Sequence, residues 1–142
     1  MKKFAIALCA AVSLCACSGT TTIRSVSSTD SVKIRKTTET TTPRTEEIST
    51  TSFGNYDFKV MTADNKTMYG LLPLRFNGGY LAPDILFFAP GLFFNLRGVY
   101  KIYEFDAPNG VVKYKNHESD PWMEYKPSDA EASRAKMYFE KQ

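Results

Sequence analysis

The sequence predicts a mainly β domain: a small antiparallel sheet or sandwich, carrying an apolar Phe-rich loop and closed by a short C-terminal helix. Three observations predict it. Apolar and polar residues alternate with period two at Val32-Lys33-Ile34-Arg35 and Tyr56-Asp57-Phe58-Lys59-Val60, which places one set of side chains on each face of a strand. Asp106-Ala107-Pro108-Asn109-Gly110 separates two apolar runs and is a strong hairpin signal. Ser128-Asp129-Ala130-Glu131 has capping-box spacing, which marks the start of a helix. A length of 142 residues fits one domain.

The first element is not part of that domain. Met1-Lys2-Lys3 precedes the apolar run Phe4 to Leu14 and then Cys15-Ala16-Cys17. Two lysines, about a dozen apolar residues and a small-residue exit form a secretory signal, too short for a permanent membrane span. All three cysteines, Cys9, Cys15 and Cys17, lie here. No disulfide framework, zinc cluster or Cys nucleophile is therefore open to the rest of the chain. Without Lys2 and Lys3 the 18 Lys+Arg become 16 against 15 Asp+Glu. A surface so nearly neutral argues against a nucleic-acid partner held by phosphate neutralisation.

Leu14-Cys15-Ala16-Cys17 resembles the lipobox of bacterial lipoproteins, with an aliphatic residue three before the Cys and a small one just before it. The resemblance implies cleavage after Ala16 and a diacylglyceryl group on the Cys17 thiol, with acylation (palmitate or a similar chain) of the new amino group. Cys15 is the competing lipidation site, but Leu14 is too bulky for the position before it. An ordinary signal ending in an Ala-x-Ala pattern, drawn from Ala10, Ala11 and Ala16, is the other alternative. Ser18, rather than Asp, follows Cys17, and the resemblance then implies sorting to the outer membrane. Each buried methylene contributes roughly 0.8 kcal/mol, so two or three acyl chains anchor a protein stably.

Residues 1–16 are thus read as the signal, 17–19 as a lipidated tether, 20–127 as the β domain and 128–142 as the C-terminal helix and tail. From Ser18 to Ser52, 19 of 35 residues are Ser or Thr. A solvated linker is one reading of such composition; β-branched Thr and the alternation at 32–35 favour strands near 20–26 and 31–36. Thr40-Thr41-Thr42-Pro43 closes the second strand and begins a connection. Tyr56 to Val60 is a strand with Tyr56, Phe58 and Val60 on one face, followed by a turn at Ala63-Asp64-Asn65-Lys66. Met68 to Phe76 is interrupted by Gly70 and Pro73 and reads as an edge or bulged strand. Val99–Phe105 and Val111–Lys115 flank the hairpin turn, where Gly110 is expected at positive φ. A helix is expected from about 129 to 140.

Ile23-Arg24-Ser25, Asp30-Ser31-Val32-Lys33-Ile34, Thr40-Thr41-Thr42-Pro43 and Tyr56-Asp57-Phe58-Lys59-Val60 together resemble the PEGA domain, a small all-β module of bacterial surface proteins and lipoproteins. The resemblance covers about residues 20–62, without the Pro-Glu-Gly-Ala signature itself. It implies a β module of a Gram-negative envelope lipoprotein and implies no enzyme.

Between Leu81 and Gly98 the triplet Leu86-Phe87-Phe88 recurs as Leu92-Phe93-Phe94 across Ala89-Pro90-Gly91. Nine of the twelve residues from Ile85 to Leu96 are apolar and none is charged. A spanning helix needs about 20 residues, and Pro90-Gly91 would break one. Phe87, Phe88, Phe93 and Phe94 are then core side chains, a hairpin dipping into the lipid interface, or an apolar face for a partner protein.

Chemistry has few candidates. His117 is the only histidine, and His117-Glu118-Ser119-Asp120 reads as a polar loop rather than a metal site. Ser133-Arg134-Ala135-Lys136 has Ser-x-x-Lys spacing on a helix without the companion motifs of a penicillin-binding enzyme, and reads as surface. Asp84, Asp106 and Asp120 sit among turn residues. Trp122, beside Pro121 and Tyr125, is a glycan platform or a packing residue. No phosphate loop, metal set or cofactor motif is present. The expectation is a non-enzymatic structural, accessory or binding protein, lipid-anchored at the outer membrane on its periplasmic face. Its partners would be the membrane and an envelope protein or peptidoglycan. A small envelope hydrolase is the alternative.

Overall fold

The computed structural model describes residues 18–35, 37–49, 56–76 and 97–141. The expectations for Ala16, Cys17, Asp84, Phe87, Phe88, Phe93 and Phe94 fall outside these residues. The described chain is mainly β, with one helix at its end. The strands are β1 (Ser18–Ser25), β2 (Ser31–Ile34), β3 (Thr40–Thr41), β4 (Arg44–Ser49), β5 (Asp57–Met61), β6 (Thr67–Leu71), β7 (Arg75–Phe76), β8 (Arg97–Gly98), β9 (Ile102–Asp106), β10 (Val111–Lys115) and β11 (Met123–Tyr125). The helix α1 spans Asp129–Glu140.

One sheet has the order β11-β10-β9-β1-β4, a second β3-β2-β5-β6, and β7 pairs with β8 in a two-stranded ribbon. Period-two patterning explains how the two larger sheets share one core. Ile23 from β1, Tyr103 and Phe105 from β9 and Val112 from β10 face Val32 and Ile34 from β2 and Phe58 and Val60 from β5. Phe58 and Phe105 meet edge to face across the layers, ring centroids 4.9 Å apart. The other face of the smaller sheet carries α1. Tyr69 of β6 lies against Phe139 at 6.3 Å between centroids, and Lys33 and Arg35 extend over Phe139 and Tyr138. Ala135 is the helix side chain wholly buried there.

The helix begins where the spacing predicts. Ser128 caps it in extended conformation; the Glu131 amide donates to Ser128 Oγ at 3.4 Å, and the Ser128 amide donates back to Glu131 Oε2 at 2.8 Å. The hairpin also forms as expected. Asp106 faces Val111, the Asn109 amide and side chain donate to the Asp106 carboxylate, and Gly110 has φ 66°. The expected edge strand divides in two. β6 lies at the edge of its sheet, and after Pro73 the chain starts again as β7. A Cβ on Gly70 would come within 2.6 Å of Pro127 Cγ and 2.7 Å of Phe58 Cζ, so only glycine fits between them without displacement.

Three features differ from expectation. β1 includes Ser18 and Gly19, residues assigned to the tether. The connection after Pro43 is a strand: β4 pairs antiparallel with β1, placing Ile48 opposite Gly19. Only Ile48 in Arg44-Thr45-Glu46-Glu47-Ile48 is apolar, so no alternation reveals this strand; Arg44 fixes it by donating to the carbonyls of Thr40 at 2.7 Å and Val32 at 2.9 Å. Finally, β1 pairs parallel with β9, Thr22 beside Ile102 and Ser25 beside Phe105, within an otherwise antiparallel set.

Candidate functional site

The parallel ladder fixes which chain segments share an end of the molecule. Thr22 faces Ile102, and both chains run the same way, so Ser18 and Gly98 each lie four residues upstream of that pair. The start of β1 and the β7–β8 ribbon therefore occupy one pole. β10 returns to it, because Lys115 faces Ile102. The turns at Val26–Asp30, Thr62–Lys66 and Ala107–Gly110 occupy the opposite pole, where they follow Ser25, Met61 and Asp106.

At the first pole the ribbon is held by one tyrosine. β7 and β8 pair as Arg75 with Gly98 and Phe76 with Arg97, which brings together the two ends of the chain flanking 77–96. Below them the Tyr103 hydroxyl donates to the Pro73 carbonyl at 2.7 Å and accepts from the Tyr100 amide at 2.9 Å. Tyr103 is fully buried. Burial pushes its hydroxyl well above the ordinary tyrosine range, so it stays a neutral donor. Tyr100 packs against Tyr103 at 6.1 Å and Tyr114 at 4.5 Å between centroids. On the ribbon itself Phe76 is 62 % exposed, and the Arg75 and Arg97 side chains are exposed.

Two shallow hollows open at this pole, the first of them beside the ribbon. One, about 340 Å³, is lined by Leu71, Leu72, Leu74, Phe76, Arg97, Tyr125 and Glu131 among others. The Tyr125 hydroxyl bonds the Glu131 carboxylate there. Burial, reinforced by that carboxylate, raises the phenol. The same bond, with the Ser128 amide, holds Glu131 below the usual carboxylate range. The other hollow lies among Thr20, Thr22, Lys101, Asn116, His117 and Glu118.

The His117 amide donates to Asp120 Oδ2 at 2.9 Å, forming a polar turn. Glu118 pairs with Arg24 and, at 3.1 Å, with Lys115; the hydrogen bond from Arg24, then that from Lys115, lowers its pKa. No group of three His, Cys, Asp or Glu converges on a metal position among the described residues. Trp122 packs under the buried Lys115, whose Nζ lies 4.4 Å from the ring centroid. Ser133 and Lys136 are exposed on α1, and Lys136 pairs with Glu140 at 3.7 Å. Asp106 and Asp120 serve turns. Arg75, Phe76 and Arg97 were missed in the sequence because they border the Phe-rich run rather than form a motif. Their relation to Tyr103 depends on β7–β8 pairing across 20 intervening residues.

No helix among the described residues is long and apolar enough to cross a membrane. No family model, curated protein or solved structure matches this chain.

Proposed function

We propose that this protein is a lipid-anchored envelope protein with a non-enzymatic binding or structural role, attached through Cys17 to the outer membrane on its periplasmic side. The lipobox-like Leu14-Cys15-Ala16-Cys17 motivates the anchor. The observation that supports the role is the pole shared by Ser18 and the β7–β8 ribbon. An anchored Cys17 would lie one residue from β1, leaving no room for a long tether. It would hold the ribbon, and the Phe-rich run between its strands, close to the membrane, where Phe87, Phe88, Phe93 and Phe94 would meet lipid or an envelope partner. Peptidoglycan is a further partner within reach of a domain held there. Cys17→Ala should abolish palmitate labelling and leave uncleaved precursor or soluble protein; unchanged labelling would sink the anchor.

A small hydrolase is the second reading, favoured by the polar groups around His117 in the hollow beside Thr20, Thr22 and Asn116. Glu118 is already engaged by Arg24 and Lys115 there. Ester or amide hydrolysis that disappears in His117→Ala, with folding intact, would establish this reading.

A further inference from the structure

We infer that the pole bearing Ser18 and the ribbon is a docking surface for anionic phospholipid headgroups, so that the domain sits on the bilayer in one orientation. This rests on the lipid-anchor reading and adds to it a lipid class and a set of contacting residues. Exposed charge is unevenly distributed between the poles. Arg75, Arg97 and Lys101 are exposed at the ribbon end; the exposed acids Glu47, opposite Thr20 on β1, and Glu118, engaged by Arg24 and Lys115, also lie there. At the other pole the exposed Asp64 and Lys66 balance. Phe76, 62 % exposed, stands among the cations, an apolar side chain at the height where headgroups meet acyl chains. Basic residues around an exposed aromatic suit an anionic interface, each cation contributing through the negative surface potential. The 17 residues preceding β1 also join the domain at this pole. A lipid on Cys17 would thus bring the same surface to the membrane and keep it there.

The single tryptophan provides the probe. Trp122 lies at this pole, against Lys115. Mature acylated protein, beginning at Cys17, is reconstituted into phosphatidylglycerol or phosphatidylcholine vesicles carrying a trace of headgroup-nitroxide lipid, and Trp122 quenching is read. Quenching should be stronger in phosphatidylglycerol. Arg97→Glu and Lys101→Glu, each checked for an unchanged melting temperature, should lower the seated fraction by about fivefold or more per site. Lys66→Glu at the far pole should change nothing. Equal quenching in both lipids, or an equal effect of Lys66→Glu, would overturn the inference while leaving the anchor intact. Should mass analysis find Cys17 unmodified, the anchor reading fails. Flotation of that unmodified protein on the two vesicle types then tests the pole alone: preference for phosphatidylglycerol supports it, and no preference overturns it.

Discussion

Thr22 of β1 lies beside Ile102 of β9 in parallel register, the Thr22 amide donating to the Lys101 carbonyl at 2.8 Å. This one pairing brings the chain's entry into the domain and the return from the Phe-rich run to the same pole. An antiparallel pairing of the same two strands would have sent them to opposite poles.

The Tyr103 hydroxyl is the polar fastening of the ribbon. Tyr103→Phe leaves the ring in the core but strips a partner from the Pro73 carbonyl and the Tyr100 amide. Each lost partner costs about 1 kcal/mol, more where the group stays dry. The Tyr100 amide should exchange with solvent markedly faster than in the parent, and the melting temperature should fall. Unchanged exchange at Tyr100 would show that the hydroxyl does not secure the ribbon.

Two glycines should fail for different reasons. Gly70→Ala inserts a Cβ against Phe58 and Pro127, and overpacking of this kind costs about 1–3 kcal/mol. At Gly110 nothing lies within 4 Å of the added atom, so Gly110→Val is penalised by its φ of 66°, by about 1 kcal/mol or more. Chemical denaturation should rank both below the parent. Full stability of Gly110→Val would mean the turn has another conformation in solution.

The hairpin and helix were legible in the sequence because each is specified by residues close together in the chain. Asp106, Asn109 and Gly110 build one turn, and Ser128 and Glu131 build one cap. Val32, Ile34, Phe58 and Val60 declared their inward face by alternation. β4 stayed hidden because it is stabilised by Arg44 reaching carbonyls of β2 and β3, contacts that leave no apolar periodicity. The parallel partner of β1 lies some 80 residues away, and nothing in Thr20-Thr21-Thr22-Ile23 specifies it over an antiparallel neighbour. The hydrogen bond of Tyr103 to Pro73 follows from that topology and was equally out of reach.

Glu131 ties acid stability to the cap. Its folded pKa lies below the ordinary glutamate value of 4.5, through the Tyr125 hydroxyl first and then the Ser128 amide. A depressed carboxylate contributes stability above its unfolded pKa and loses it as pH falls through the folded one. Glu131→Gln should therefore be less stable than the parent at pH 7, and the gap should narrow below about pH 4.5. Glu39 and Glu118 are shifted in the same direction, so the comparison between the two proteins isolates Glu131. A gap independent of pH would show that the carboxylate charge plays no part in the cap.

The parallel register is tested most directly by through-hydrogen-bond scalar coupling in isotope-labelled protein. A coupling between the Thr22 amide nitrogen and the Lys101 carbonyl carbon is the predicted result, since that bond is 2.8 Å long. Its absence, together with cross-strand contacts of antiparallel type between β1 and β9, would contradict the account and separate Ser18 from the ribbon.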